Sequence, residues 1–270
     1  MNFSVLISVY YKEKPEYLKD AINSIFNQTL LPNEVILVED GKLTDELYNT
    51  IKRLREKYNG IKIVCLKENQ GLGPALNEGL KYCSYDIVAR MDSDDICMPD
   101  RFKIQTDFLE NHPDIDIISG WIDEFYGYKE NIISIRKTPE THNEIVKFGK
   151  SRNPINHPAA MFKKNVICNI GGYKAIPLLE DYDLWVRAIL NGSHLYNIQQ
   201  SLLWFRLSDN AFLRRGGIDY AKNEIAFQHN LHKIGYIGII KMYSNISIRL
   251  IIRLLPNMIR KYIYVFRLRR

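Results

Sequence analysis

Residues 3–26 read FSVLISVYYKEKPEYLKDAINSIF, which is an apolar run followed by a helical pattern. The run Phe3–Val9 has the length and continuous apolar character of a parallel strand that is buried on both faces. Pro15 then favours the first turn of a helix, in which apolar residues recur at helical spacing. A strand followed by a helix in this order is the repeating unit of an α/β sheet.

The same alternation continues over the first third of the chain. Further strands and helices are predicted in turn at 34–38, 47–58, 61–66, 71–82 and 86–91. This order predicts a mostly parallel sheet with helices on both faces, whose ligands bind at the carboxyl ends of the strands. The second half is less regular. It predicts a helix at 181–191 and strands at 115–120, 132–135, 195–196 and 202–205.

The composition is ordinary for a soluble protein, with a mean hydropathy of −0.24 and 25% charged residues. The four cysteines lack C-x-x-C spacing, so neither a zinc site nor a disulfide framework is predicted and a reducing cytoplasm is expected. No stretch reaches the ~18 uncharged apolar residues that a spanning helix needs. The N-terminus lacks a basic region and a cleavage site, so it reads as a strand and not as a signal peptide.

Charge is distributed unevenly along the chain, whose net charge is +6. From Ile225 onward there are nine Lys or Arg residues and no Asp or Glu, so the rest holds 28 basic against 31 acidic residues. A body at 1–215 and a basic, amphipathic helical tail at 216–270 are therefore predicted. We expect the tail to lie on an anionic membrane surface. The alternative is a helical cap packed on the body; nucleic acid is disfavoured because no recognition motif is present.

Within the tail, Arg249 and Arg253 are one helical turn apart and are predicted to share a polar face. Apolar residues can form the opposite face, namely Ile248, Ile251, Ile252 and Leu255. Pro256 should break or kink the segment.

Three acids follow the predicted fourth strand, at Asp92, Asp94 and Asp95. Carboxylates crowded at one strand end repel one another, unless a hard cation such as Mg²⁺ or Mn²⁺ binds their oxygens and a substrate phosphate. The alternative is that Asp94 or Asp95 caps a turn before Pro99.

Other polar residues of the sequence have both a functional and a structural interpretation. Asp181 precedes the predicted 181–191 helix, where it is either a general base or an N-cap. Asp40 ends the second strand, where a carboxylate can bind a base or ribose or start a turn. The loop from Asn69 to Gly73 resembles a phosphate cradle without matching a known glycine motif. His157 is either a structural hydrogen-bonding residue or a ligand contact.

The ordered set of motifs resembles the family 2 glycosyltransferases, which have the GT-A fold, a Rossmann-like nucleotide-sugar-binding sheet. The motifs are SVLISVY at 4–10, SIFNQT at 24–29, VEDG at 38–41, NQG at 69–71, DSDD at 92–95 and EDYDLW at 180–185. The resemblance spans about residues 3–207 and implies a role for each matched position. Ser8, Tyr10 and Asn69 belong to the nucleotide site, and Asp40 bonds the uracil. Asp92 lies near ribose and metal, Asp94 is the metal ligand, and Asp181 is the catalytic base.

More narrowly, the chain is similar to enzymes that build bacterial surface polysaccharides, among them amylovoran-type transferases and β-1,3-galactosyltransferases acting on GlcNAc-diphosphoundecaprenol. This implies an inverting transfer of a hexose, galactose or glucose, from a UDP-sugar to an undecaprenyl-diphosphate-linked acceptor, with Mn²⁺ or Mg²⁺. The expected location is the cytoplasmic face of the bacterial inner membrane, as a peripheral protein.

Two departures from the family pattern, Tyr11 and Lys42, concern base recognition. The competing hypotheses are a metal-dependent nucleotidyltransferase or phosphatase and a non-catalytic nucleotide-sugar-binding module. A binding module has no need for an acid at Asp181.

Overall fold

The computed structural model describes residues 1–207 and 218–254. Its strands are β1 (Phe3–Val9), β2 (Glu34–Glu39), β3 (Ile61–Cys65), β4 (Ile87–Asp92), β5 (Ile96–Cys97), β6 (Ile117–Phe125), β7 (Ile132–Arg136), β8 (Met161–Lys163) and β9 (Leu195–Arg206). Its helices are α1 (Pro15–Phe26), α2 (Asp45–Lys57), α3 (Leu72–Tyr82), α4 (Arg101–Asn111), α5 (His142–Gly149), α6 (Lys164–Asn169), α7 (Glu180–Leu190), α8 (Ile218–Lys233) and α9 (Ile239–Leu254). A 3-10 turn covers His157–Ala159.

The strands form one sheet in the order β3-β2-β1-β4-β8-β6-β9-β5, and β7 pairs with β6 outside this path. The first four strands are parallel, as predicted, because each helix returns the chain to the same end of the sheet. Ser8 of β1 is level with Val38 of β2 and with Asp92 of β4. The carboxyl ends of these strands, with the polar residues that follow them, therefore share one edge.

The second half of the sheet differs from the prediction. A single 12-residue strand, β9, replaces the two short strands expected at 195–196 and 202–205. It runs parallel to β6, with a register shift around Trp121. The polar residues Gln199 and Gln200 lie at this irregularity and are exposed, so they interrupt the apolar pattern without ending the strand.

Helices cover both faces of the sheet, in line with strands that are apolar on both sides. Val5 and Ile7 pack in a core with residues of α1, α2 and α4, while Leu6 and Ile36 pack with residues of α3 and α7. Gly79 lets α3 lie close to the sheet, because a Cβ there would be 2.4 Å from Leu6.

Helices α8 and α9 form a C-terminal hairpin that packs on α7. Apolar residues at α7 and in the hairpin form one buried cluster. Its members are Leu179, Tyr182, Val186, Phe227, Leu231, Tyr236, Ile237 and Met242. The expected helical character of the tail is confirmed up to Leu254; the expected boundary near residue 215 and the break at Pro256 lie outside the described residues. In the described part of the chain, no helix has the length and apolar character needed to cross a membrane.

The prediction that Arg249 lies on an exposed polar face of α9 is wrong. Its guanidinium is ion-paired with Glu224 of α8 and donates a hydrogen bond to Ser151 O at 2.7 Å. Arg249 therefore contacts α8 and the body, because a buried carboxylate on α8 needs a cation. Helix α9 packs as in the alternative of a cap on the body, but that alternative expected solvated Arg residues. Ile248 and Ile251, predicted to be apolar partners on the other face, are exposed.

Candidate active site

The three acids after β4 lie together. One carboxylate oxygen from each of Asp92, Asp94 and Asp95 lies within 4.8 Å of the others. Burial, with the charges of Asp92 and Glu13, raises the pKa of Asp94 to about 7. The capping alternative is wrong, because the next helix, α4, begins at Arg101 and has Asp100 as its N-cap residue.

Asp95 is fully buried, whereas Asp92 and Asp94 are partly exposed. Its Oδ1 accepts a hydrogen bond from the backbone N–H of Arg206 at 2.9 Å, while its buried Oδ2 has no partner among the described residues. Burial and the neighbouring acids raise the pKa of Asp95 well above its usual value. An all-oxygen set with excess negative charge and an unsatisfied carboxylate oxygen fits Mg²⁺ or Mn²⁺.

Arg90 is a functional candidate that the sequence reasoning missed. It is 1% exposed and ion-paired with Asp92, and its Nε and Nη1 atoms have no hydrogen-bond partner in the described structure. Its positive charge also acts to lower the pKa values of Asp94 and Asp181. Arg90 is therefore ion-paired with one acid of the triplet, and its charge also acts on Asp94 and on Asp181. The available signal was a charged residue inside an otherwise apolar strand.

Asp181 lies in the first turn of α7. The N-cap alternative is wrong, since the N-cap residue is Leu179. Asp181 Oδ2 accepts a hydrogen bond from Asn153 Nδ2 at 2.6 Å, and Oδ1 accepts one from the backbone N–H of Tyr182 at 2.8 Å. Burial raises the pKa of Asp181, and these hydrogen bonds together with the charges of Arg136 and Arg90 oppose that rise. The result is an oriented, partly buried carboxyl group, which is what a general base requires.

Asp40 organises the loop between β3 and α3. Its Oδ1 accepts a hydrogen bond from Gln70 N at 2.7 Å, and its Oδ2 accepts one from Gly71 N at 3.0 Å and one from Asn69 Nδ2 at 2.9 Å. A Cβ on Gly41, whose φ is +81°, would lie 2.5 Å from Asn69 N, so only glycine allows this approach. Asp40 and Asn69 are thus brought together, and recognition of uracil by Asp40 stays a prediction.

Ser8 and Tyr10 lie at the end of β1, at the same sheet edge as Asp92. Both are partly buried, and the ring of Tyr10 meets that of Tyr11 edge-on at 5.8 Å. The loop that follows is tied to the acidic triplet, because Ser93 Oγ donates to Glu13 Oε2 at 2.5 Å. Glu13 is an additional residue at this edge that had no predicted role. The position of Ser8 and Tyr10 suits a nucleotide site, and this assignment stays a prediction.

His157 makes the hydrogen bond expected if its role is structural. It is buried, its Nε2 is hydrogen-bonded to the Tyr173 hydroxyl at 2.8 Å, and its ring packs edge-on to Trp185 at 5.8 Å. Burial, together with the charge of Arg90, lowers its pKa well below the usual value. The direction of this shift favours the neutral imidazole, which joins Tyr173 to Trp185 of α7.

Comparison with known proteins places the chain in a family. The model of the family described as glycosyl transferase family 2 matches residues 4–170.

The chain belongs to glycosyltransferase family 2.

Two curated relatives are similar over almost the whole chain. An Escherichia coli protein named UDP-Gal:alpha-D-GlcNAc-diphosphoundecaprenol beta-1,3-galactosyltransferase is 43% identical, with 97% of this chain and 95% of that protein covered. The amylovoran biosynthesis glycosyltransferase AmsE of Erwinia amylovora is 34% identical, with 97% of each chain covered. Membership of this family favours a sugar transferase over the phosphatase, nucleotidyltransferase and binding-module hypotheses.

A solved structure supports the fold. The mannosyltransferase PcManGT of Pyrobaculum calidifontis, in complex with GDP-Man and Mn²⁺, matches with a TM-score of 0.66 at 16% identity, covering 95% of this chain and 70% of that chain. At this identity the likeness shows the fold alone, and it confirms the expected GT-A architecture.

Proposed function

We propose that this glycosyltransferase transfers a hexose, galactose or glucose, from a UDP-sugar to a sugar linked through diphosphate to undecaprenol, in the synthesis of a bacterial surface polysaccharide. The observation that carries the proposal is the cluster of Asp92, Asp94 and Asp95 at the carboxyl edge of the sheet, and it is supported by the hydrogen-bonded carboxylate of Asp181. The substrate class rests on the name of the Escherichia coli relative, which is similar over nearly its entire length.

Asp92 and Asp94 would hold a divalent cation, with the carboxylate of Asp95 beside them. Bound Mn²⁺ or Mg²⁺ stabilises negative charge on the diphosphate of the donor. The protein contributes the fixed position of these carboxylates. Arg90 holds Asp92 through an ion pair, and the backbone N–H of Arg206 holds Asp95 through a hydrogen bond.

Asp181 takes the proton of the acceptor hydroxyl while that oxygen attacks the anomeric carbon of the donor sugar. The leaving diphosphate carries away the electron pair of the broken bond, so one displacement inverts the anomeric centre and converts an α-linked donor into a β-linked product. Asn153 orients the carboxylate for this step, and the charges of Arg136 and Arg90 favour its ionised form.

The direct test is a donor screen with the full-length protein. UDP-Gal, UDP-Glc and UDP-GlcNAc are each offered with Mn²⁺ to a GlcNAc-diphosphate-lipid acceptor, and the linkage of the product is determined by NMR. We expect a β-linked disaccharide from UDP-Gal or UDP-Glc. An α-linked product would refute the inverting assignment, and no product from any of these donors would refute the proposed substrate class.

We also propose that the outer face of α9 lies on an anionic membrane surface at the cytoplasmic side. Large apolar side chains are exposed there, with Ile240 84%, Tyr243 58% and Ile251 64% exposed. Lys241 is exposed on the same helix, and no acidic residue follows Glu224 in the sequence. Apolar side chains combined with positive charge suit the boundary between lipid headgroups and acyl chains.

A further inference from the structure

The segment at residues 149–153, between α5 and the 3-10 turn, links the C-terminal hairpin to Asp181. At one end of the segment, Asn153 Nδ2 donates the 2.6 Å hydrogen bond to Asp181 Oδ2. At the other end, the Tyr182 hydroxyl of α7 donates to Gly149 O at 2.5 Å. The segment is therefore attached to α7 at two points, and one of them is the carboxylate proposed as the base.

Helix α9 supplies the donors for the carbonyl groups between these two points. Asn245 Nδ2 donates to Lys150 O at 2.8 Å, and Arg249 Nη2 donates to Ser151 O at 2.7 Å. Both are hydrogen bonds from side chain to backbone, so they fix the path of the chain whatever side chains the segment carries.

The two donors on α9 are themselves held by α8. Asn245 also donates to Gln228 Oε1 at 2.8 Å, and Arg249 is ion-paired with Glu224. Asn245, Gln228 and Glu224 are at most 4% exposed. Buried polar groups are costly to leave without partners, so this network is expected to be retained as a unit.

The contact between hairpin and segment is close. The Tyr236 hydroxyl, at the turn between α8 and α9, donates to Val146 O at 3.1 Å. A Cβ on Gly149 would lie 2.4 Å from that hydroxyl oxygen, so the glycine is what allows the approach. The rings of Tyr182 and Phe227 lie 4.9 Å apart on the other side of the same contact.

We propose that Asn245 and Arg249 are positioning residues for glycosyl transfer, which hold residues 149–153 so that Asn153 keeps Asp181 in its reactive orientation. The inference rests on the proposed function in one respect, the assignment of Asp181 as the base. Displacement of a reacting group by ~1 Å can cost about a hundredfold in rate. The C-terminal hairpin therefore contributes to transfer through Asn153, which its residues Asn245 and Arg249 hold in place.

Two variants of the full chain test this inference. Asn245→Ala removes one donor. Arg249→Lys keeps a positive charge opposite Glu224 but lacks the planar pair of N–H groups that serves Glu224 and Ser151 at once. We expect kcat to fall by about tenfold to a hundredfold in each, the range expected for a displaced catalytic group. The Kd and stoichiometry of UDP binding, measured by calorimetry with Mn²⁺ present, should not change. Asn223→Ala, on the exposed side of α8, is the matched control and should retain full kcat.

Combination with Asn153→Ala separates positioning from general loosening of the fold. If the hairpin acts through Asn153, adding Asn245→Ala or Arg249→Lys to Asn153→Ala should cost little further kcat, since coupled residues are not additive. Wild-type kcat in both single variants, or additive losses in the double variants, would overturn the inference. Wild-type kcat in Asp181→Asn would instead overturn the proposed base, so the two failures can be told apart.

Discussion

Asp181 and Asp183 lie two positions apart in the first turn of α7 and have different surroundings. Asp183 is fully buried and ion-paired with Arg187 at 2.6 Å, and Arg187 also donates to the carbonyl groups of Ile170 and Gly172. Asp181 is partly buried, and its side-chain partner is a neutral amide, that of Asn153. A carboxylate neutralised by a guanidinium is a poor base. Asp181 is therefore suited to catalysis, and Asp183 is suited to packing.

Replacement of each acid should therefore have a different effect. Asp181→Asn should lower kcat by at least ~10²-fold, the usual contribution of a general base, and leave UDP binding nearly unchanged. Asp183→Asn should instead destabilise the fold, by about 3–5 kcal/mol, because it leaves the Arg187 charge without its partner. Steady-state kinetics and denaturant unfolding of the two variants measure these effects. Near-wild-type kcat in Asp181→Asn would leave this residue with a structural role only.

The acidic triplet should make metal binding depend on pH. Burial raises the pKa of Asp94 to about 7, so its protonated form is favoured in the metal-free fold below that pH. Metal-free protein should accordingly lose stability as pH rises through 7, while a cation should bind best once the carboxyl is ionised. A cation at a hundredfold excess over its Kd adds about 2.7 kcal/mol of stability.

We therefore expect Mn²⁺ to raise the Tm more at pH 8 than at pH 6, and excess chelator to abolish transfer. Scanning calorimetry at the two pH values, with and without Mn²⁺, measures the first effect. Asp94→Asn should remove most of the Mn²⁺ response, whereas Asp100→Asn, an exposed acid in the same stretch, should keep it. Full activity in excess chelator would contradict the metal assignment.

At the level of elements, the sequence predicted the first half of the sheet well. Strands β1, β2 and β4 are buried on both faces and are mostly apolar, and each helix between the first four strands has a regular apolar stripe. The same order put Asp40 and Asp92 at strand ends on one edge, which is why these site residues could be anticipated. Local patterns were sufficient because each strand and helix has its own apolar pattern, and a helix between two strands makes them parallel.

The second half depends on contacts between distant residues, which a local pattern does not contain. β9 pairs with β6, and Gln199 and Gln200 interrupt its apolar pattern at the irregularity. The hydrogen bonds of Asn245 and Arg249 to the 149–153 segment join residues more than ninety positions apart. Arg249 was interpreted as a polar surface residue, because its partner, Glu224, lies on the preceding helix and a local pattern does not pair the two. Arg90 was missed although its partner, Asp92, is only two positions away, because a strand pattern does not show that the guanidinium is buried beside the acids.

For the whole molecule, the C-terminal hairpin has two distinct faces. Its inner face packs on α7 and holds the 149–153 segment beside Asp181. Its outer face exposes apolar side chains and leads into a sequence whose charged residues after Leu254 are all basic. An acceptor carried on a lipid is confined to the membrane surface, so the orientation of this hairpin would set how the acceptor reaches the base.

The outer face of α9 should bind anionic vesicles. Ile240→Ser and Ile251→Ser together remove two exposed apolar side chains and should weaken co-sedimentation with phosphatidylglycerol-containing vesicles by about tenfold or more, since burial of such a side chain contributes ~1.5–3 kcal/mol. Ile133→Ser, on β7, removes an isoleucine that is 42% exposed and should bind like the wild type.

Because the charge after Glu224 is wholly basic, raising NaCl from about 0.1 to about 0.5 M should also weaken binding through screening. The two serines leave the Arg249 and Asn245 contacts intact, so kcat with a soluble acceptor should be unchanged. Equal binding to purely zwitterionic vesicles, or no loss in the double variant, would show that this face does not contact an anionic bilayer.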